Sequence, residues 1–448
     1  MPRATRRTLL IATGATVLTV GSALWRAPSV EALGAPGTGG AVASALHLSA
    51  AYLILSPLCE GYDALTLLTL SQHAAILAWL VALFAVFRIF RRRAPASGGV
   101  TRRGLRREAM LLGAAILAFA GVYVLGAIVP RPMAALALDD PDEIAVDIHS
   151  HTSASHDGRL GFDAAANRRW HSAAGFGAAY ITDHRRFDGA EAGERGNPAR
   201  AGDGTVLLSG IESFAPHSHI TILGARRGMG VDMDGHVDSA RLARLPGLVA
   251  VLTTPASLAW IPVSLRLDAV EISDGAPRGL SFTRRLAPEI EQFATTRQLA
   301  LVAGSDNHGW GRTAAAWTIL RLPGWRAMSP DSLDRAIRAT LIPGGNAVRV
   351  IGRTSTPLPR SLAAVVATPA LLLWGVVTRL SGAERVSWTV WIWSLAALLL
   401  WRGRNRQSDA SDDDGDDAPL FRGELPNGDE SAAEPPLSRR TPGRRAAY

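Results

Sequence analysis

Long apolar runs constrain this chain first. Leu9–Trp25, Ala41–Leu58, Ala74–Phe87 and Ala109–Pro130 occupy the first third, and Ser361–Val377 and Val386–Trp401 come later. Each is near the roughly 20 residues that cross a hydrocarbon core. Ala41–Leu58 carries His47 and is the weakest of them, fitting an interfacial or re-entrant segment. Hydrophobic residues make up 48% of the chain, which suits membrane segments joined to a soluble part. The expected organisation is a membrane region at 1–135 with three or four spans, a soluble domain at 141–353, two further spans within 361–401, and a disordered tail at 403–448. Acidic, Pro-rich and Gly-rich composition sets the tail apart.

All strong positive charge is arginine, and the net charge is +8. Many arginines flank apolar runs, where they orient spans. Eight fall between Arg88 and Arg107, so that loop is expected on the cytoplasmic side, and the next span would then carry the soluble domain outside. TRRTLL near the N-terminus reads as the positive flank of the first span rather than a twin-arginine signal. Trp388, Trp391, Trp393 and Trp401 are candidate interface anchors. A single cysteine, Cys59, excludes an internal disulfide or a cysteine-pair redox site.

Within 141–353 the pattern changes to short β-like runs alternating with helical ones. Each β-like run ends in chemistry: EIAVDIHSH in His149 and His151, AAYITDH in Asp183 and His184, TVLLSGIE in Glu212, LALVAGSDNHG in Asp306 and His308. HITILG opens with His219, and LDAVEISDG carries Glu271 and Asp274. Polar residues gathered at strand C-termini predict a (β/α) barrel. Alternation along a strand puts Asp147, His149 and His151 on one face. Two imidazoles so placed can share one ion, with carboxylates completing the shell of zinc, manganese or iron.

These motifs, DIHSHTSASHDG, ITDH, GIE, HITILG, TTP and GSDNH, resemble in order those of the PHP family, the polymerase and histidinol phosphatase domain. The resemblance covers Glu143 to Arg353. It implies a distorted (β/α)7 barrel, here flanked by transmembrane helices, with two or three divalent metals. It implies a first metal on His149, His151, Glu212 and Asp306, and a second reached by Glu212 and His219. A third would be held by His184, His308 and a residue of the Ser155–Gly158 stretch. The family's spacing puts that residue at His156, with Asp157 as substitute or helper. Thr254 stands where the family has a histidine, a departure that weakens the second site unless His217 completes it.

The other histidines carry less. His171 is expected to be structural, His236 a loop residue and His73 an interface residue. Asp147 and Asp183 could orient ligand imidazoles. Arg185, Arg186, Arg278 and Arg312 follow strand ends and could clamp a phosphate, with Arg312 the candidate substrate-binding residue. The resulting expectation is a membrane-anchored phosphoesterase hydrolysing a phosphorylated substrate with metal-activated water. The alternative is a membrane-tethered metal-binding or sensing module that has lost catalysis. A nucleic-acid partner is not expected, because no polymerase-sized region accompanies the domain and membrane runs lie on both sides of it.

Overall fold

A computed structural model describes residues 3–34, 44–91, 102–215, 218–230, 245–253, 258–342 and 348–413. Residues 1–395 form one compact unit and 396–448 a second. Ten strands build the main sheet: β1 (Val30–Leu33), β4 (Glu143–Ser150), β5 (Ala178–Ile181), β6 (Val206–Ala215), β7 (Ser218–Leu223), β8 (Val249–Thr253), β9 (Ala269–Asp274), β10 (Ala300–Gly304), β11 (Ala316–Arg321) and β12 (Val348–Arg353). Their order is β1-β12-β11-β4-β5-β6-β7-β8-β9-β10. A separate pair joins β2 (Ser44–His47) to β3 (Ala135–Leu138).

From β4 to β10 the strands follow chain order and curl until the two ends meet. Asp306 donates its N–H to the His149 carbonyl at 2.8 Å, and His151 to the Asn307 carbonyl at 3.2 Å. This brings the two ligand-rich strand ends, HSH and GSDNH, side by side. The sheet is nevertheless a curled mixed sheet, half-barrel in form, and does not show the closed (β/α)7 barrel expected from the sequence. The β4–β5–β6 and β8–β9–β10 ladders are parallel, whereas β6–β7–β8 and β4–β11–β12–β1 are antiparallel. Only two residues separate β6 from β7, far too few for the crossover a parallel neighbour needs. Three helices follow strands as expected: α6 (Ala164–Ala174) after β4, α7 (Asp188–Arg195) after β5 and α8 (Pro277–Arg297) after β9.

Local chemistry fixes these elements. The Asp163 side chain caps α6 at the Ala166 N–H, and Gly175 ends that helix in a left-handed conformation with φ of 88°. Between β11 and β12, α9 (Pro330–Leu341) starts on a Ser329 cap with proline in its first turn. It buries Leu333, Ile337 and Leu341, spaced by four, against Trp325, Val206 and the middle of the sheet. Burial of each such leucine or isoleucine contributes about 1.5–3 kcal/mol.

The remaining helices are α1 (Arg3–Gly21), α2 (Ala50–Ile54), α3 (Ser56–Thr66), α4 (Leu70–Arg91), α5 (Arg102–Ile128), α10 (Leu362–Arg379) and α11 (Gly382–Asp413). Among the described residues, four stretches are long and apolar enough to cross a membrane: Thr5–Trp25, Leu70–Phe90, Gly104–Ile128 and Leu362–Arg379. The run Ala41–Leu58 is not one helix. Its described part is β2, then α2 capped by Ser49, then the start of α3 with Pro57 in its first turn. Val386–Trp401 lies within α11, outside those four stretches. Residues 403–413 of the expected tail continue α11, and 414–448 lie outside the described residues.

One buried polar knot ties α3 to the main sheet. The Asp63 carboxylate accepts from Arg353 Nη1 of β12 at 2.7 Å, Thr313 Oγ1 at 2.6 Å and Tyr52 OH at 2.8 Å, and pairs with Arg131 Nη1 at 2.6 Å. Arg131 lies just beyond α5 and Thr313 directly follows Arg312, so the knot sets the membrane-type helices against the loop that leaves the ligand strand β10.

Candidate metal centre

The end of β4 carries His149 and His151, both buried. Their Nε2 atoms lie 3.0 Å apart. Glu212 Oε2 is 3.2 Å from each of them. Asp306 Oδ1 is 3.4 Å from His149 Nε2 and 3.2 Å from His151 Nε2. Donors around one four-coordinate ion with bonds of about 2.0–2.1 Å sit about 3.3 Å apart. Two imidazole nitrogens and two carboxylate oxygens at this spacing therefore fit a divalent ion. These are the four residues expected at the first metal, and they come from β4, β6 and the end of β10.

Backbone detail explains the motif spellings. Asp306 has φ of 42°, a left-handed conformation costly for a non-glycine residue and found where function demands it. A Cβ at Gly304 would collide with Glu271 Oε1 and the His149 side chain, so the glycine of GSDNH lets β10 approach the ligands. Asp147 accepts His171 Nε2 at 2.6 Å and the Ser305 N–H at 2.9 Å. Asp183 accepts the Thr152 N–H at 2.6 Å and its hydroxyl at 2.7 Å. Neither aspartate orients a ligand imidazole. They fix the backbone of the ligand-bearing segments instead, and His171 is the structural partner of Asp147.

A second group lies alongside. His151, His184 and His308 bring ring nitrogens together, and Asp157 Oδ2 is 3.4 Å from His184 Nε2 and 3.1 Å from His308 Nε2. Asp157 reaches both of these rings, while His156, Asp157 and His184 also form a group that could hold an ion. His156 is 77% exposed, meets Asp157 at 3.9 Å and stacks obliquely near His184. Asp157 is aimed inward by a hydrogen bond from Ser155 Oγ at 2.7 Å, within a turn closed by the Gly158 N–H on the Ser155 carbonyl. Asp157→Asn is expected to lower bound metal by one ion per chain, and His156→Ala to leave the content unchanged. Elemental analysis of the purified variants checks this; metal loss in His156→Ala alone would support the spacing-based choice.

At the second position, Glu212 Oε1 lies 2.6 Å from His219 Nδ1. The two oxygens of Glu212 thus face two donor groups. Thr254, His217 and His236 lie outside the described residues.

Glu271 has no assigned role in the sequence motifs, yet it stands directly behind a ligand. Its Oε1 is 3.1 Å from His149 Nδ1, and both side chains are buried. A carboxylate on the far ring nitrogen fixes the tautomer that leaves Nε2 free for a metal. The sequence signal is the acidic VEISD strand end, but only the β9–β10 register places Glu271 behind His149. His151 Nδ1 has no such partner among the described residues. Glu271→Gln is expected to weaken metal affinity about 10–100-fold, measured by competition with a chelator.

Electrostatics favour a cation. Burial acts to lower His149, but Glu212, Glu271 and Asp306 outweigh it and hold the imidazole well above its ordinary range. His151 is depressed by burial yet pushed up to about 10 by Asp306 and Glu212. Burial pushes the Glu271 carboxyl up to about 7 despite His149. His184 is pushed down to about 4, mainly by burial, and His308 is lowered by burial and by His151. Both are therefore neutral at neutral pH, with lone pairs to offer. For Asp157, burial opposes ionisation, but the Ser155 hydrogen bond and His308 hold it down to about 2.

Of the arginines, Arg185 lies over the Phe214 ring, Arg278 over the Phe282 ring, and Arg186 pairs with Asp188 at the surface. Arg312 instead lines a cavity with Asp157, Asp306 and His308. Its buried Nε has no partner among the described residues. His73 bonds Tyr123 OH at 3.1 Å, and both line the same cavity as Arg312.

No protein-family model and no curated protein matches the chain. Several solved structures are similar in part, among them the following. PsfC from Pseudomonas syringae has 17% identity and a TM-score of 0.34 over 53% of this chain and 98% of that one. A two-domain protein from Bacteroides vulgatus containing a predicted PHP-like metal-dependent phosphoesterase has 16% identity and a TM-score of 0.28, over 43% of this chain and 63% of that one. The lesion-specific endonuclease PfuEndoQ from Pyrococcus furiosus has 12% identity and a TM-score of 0.32, over 46% of this chain and 57% of that one. The last two are each matched over less than two thirds of their length. Similarity this low assigns neither family nor activity, and the function must be argued from the side chains of the site.

Proposed function

We propose that residues 143–353 form a metal-dependent phosphoesterase held at a membrane by the flanking apolar helices. One observation carries this reading: the convergence of His149, His151, Glu212 and Asp306 on one point, with Asp157, His184 and His308 adjoining it. His149, His151, Glu212 and Asp306 would hold one ion; Asp157, His184 and His308 would hold another. Glu212 would link the first to His219. Divalent ions there would acidify water and neutralise charge on the phosphoryl oxygens. The residues themselves bind and orient. Glu271 fixes the His149 ring, Ser155 aims Asp157, and the free Nε of Arg312 offers a donor to a phosphate oxygen beside Asp306. Arginine suits that task because its planar fork matches phosphate geometry.

Metal removal tests the reading. Chelator-stripped full chain in detergent is expected to lose turnover of phosphoesters and regain it on adding manganese or zinc. A protein that binds ions stoichiometrically yet hydrolyses no phosphoester with manganese, zinc or magnesium would instead be the metal-binding module.

A further inference from the structure

The cavity at the candidate metal centre has a volume of about 550 Å³, within the range that takes a small organic ligand. Its inner end is polar, formed by Asp157, Asp306, His308 and Arg312. Other lining residues are Tyr62 and Leu65 of α3, and Tyr123, Val124, Gly126 and Ala127 of the membrane-type helix α5. Two polar groups on this lining are already engaged. Tyr123 OH meets His73 Nδ1, and Thr66 Oγ1 donates to the Tyr62 carbonyl. A sugar or base would find few partners there, whereas an apolar chain needs none.

The lining also runs out into the bilayer-type surface. Gly104–Ile128 is one of the stretches apolar and long enough to span. On it Val124 lines the cavity while remaining 56% exposed, and the next residue, Leu125, is 53% exposed. Trp310, two residues after His308, lines the cavity and is 52% exposed. An aromatic so placed suits the interfacial layer of a membrane.

We propose that the cavity binds a phosphorylated lipid, with its phosphate at Asp306, His308 and Arg312 and its apolar chain along Leu65, Val124 and Ala127. This deepens the phosphoesterase reading by naming its substrate class, and rests on it for the chemistry at the phosphate. A soluble phosphoester would use the polar end alone. A lipid phosphate uses both ends, and each methylene buried raises affinity about fourfold.

The test compares methylphosphonate with dodecylphosphonate, neither of which can be hydrolysed at an ester. Binding is measured by equilibrium dialysis on the full chain in detergent with manganese present. Dodecylphosphonate is expected to bind at least tenfold tighter. In Ala127→Phe and, separately, Leu65→Trp, which fill the apolar end, the ratio is expected to fall below threefold with metal content retained. Equal affinities in the wild type would overturn the proposal. So would a ratio unchanged in both variants, which would mean simple partition into micelles. Turnover of methyl and dodecyl phosphate is read separately. Chain-dependent binding without turnover sinks the phosphoesterase reading and leaves the lipid site standing; turnover with no chain preference does the reverse.

Discussion

His149→Ala combined with His151→Ala is expected to remove the proposed metal and to lower phosphoester turnover on the order of 10³-fold or more. Those two Nε2 atoms are half of a four-donor cluster, 3.0 Å apart at its heart. Without them, Glu212 and Asp306 remain with no imidazole between them to complete a shared site. A metal ion supplies several kcal/mol of transition-state charge stabilisation, and each 1.4 kcal/mol is tenfold in rate. The wild-type site adds a pH signature. With His151 pushed up to about 10 by its carboxylates, the metal-free site carries a proton at neutral pH that an ion must displace. Apparent metal affinity is therefore expected to climb as pH rises toward about 10, and to flatten above it. Metal content and turnover are measured together. A double variant that kept wild-type turnover would remove these histidines from the site.

The donor set was legible because strand alternation is local. HSH on a strand end puts two imidazoles on one face whatever the rest of the fold does, and GSDNH advertises a tight turn bearing Asp306. The left-handed Asp306 and the crowded Gly304 are what that spelling encodes. Choices set by three-dimensional packing were not legible. Spacing alone could not weigh His156 against Asp157, because the serine hydroxyl and turn hydrogen bond that orient Asp157 are set by packing. Glu271 sits behind His149 only because β10 pairs with β9, with a register shift just after the Val302–Glu271 pair, and curls back to β4. Closure of the barrel misled for the same reason: strand–helix alternation counts elements but does not say that β6 and β7 form a hairpin. In Ala41–Leu58, the weakest of the apolar runs, a β pairing, a serine cap and a proline break the run before a helix can cross.

Asp63→Asn is expected to destabilise the fold by about 3–5 kcal/mol, the usual cost of stranding a buried charge. No motif singles out Asp63, yet its carboxylate is 1% exposed and pairs with the guanidinium groups of Arg131 and Arg353, themselves 8% and 6% exposed. Burial acts against its charge, but those arginines prevail and hold it below the ordinary carboxylate range. An amide would leave both guanidinium groups facing a neutral partner. Glu60, one turn earlier on α3, is the contrast. Burial pushes it up to about 7 against the pull of Arg353, so at about pH 6 it is mostly protonated, and Glu60→Gln is expected to cost far less stability there than Asp63→Asn. The two acids act on pH in opposite senses. Asp63, lowered in the fold, contributes stability above its ordinary range and loses it as pH falls. Glu60, raised in the fold, makes the native state hold a proton between 4.5 and about 7, so stability falls as pH rises through that window. Thermal unfolding in detergent from about pH 4 to 8 reads both: Asp63→Asn lowers the midpoint across the range, and Glu60→Gln removes the decline between 4.5 and about 7. Because Thr313, bonded to Asp63, adjoins Arg312, Asp63→Asn should also raise KM for a phosphoester more than it lowers kcat. Equal stability losses in the two variants would mean that helix packing, not the Asp63 charge, joins the membrane-type helices to the metal-bearing sheet.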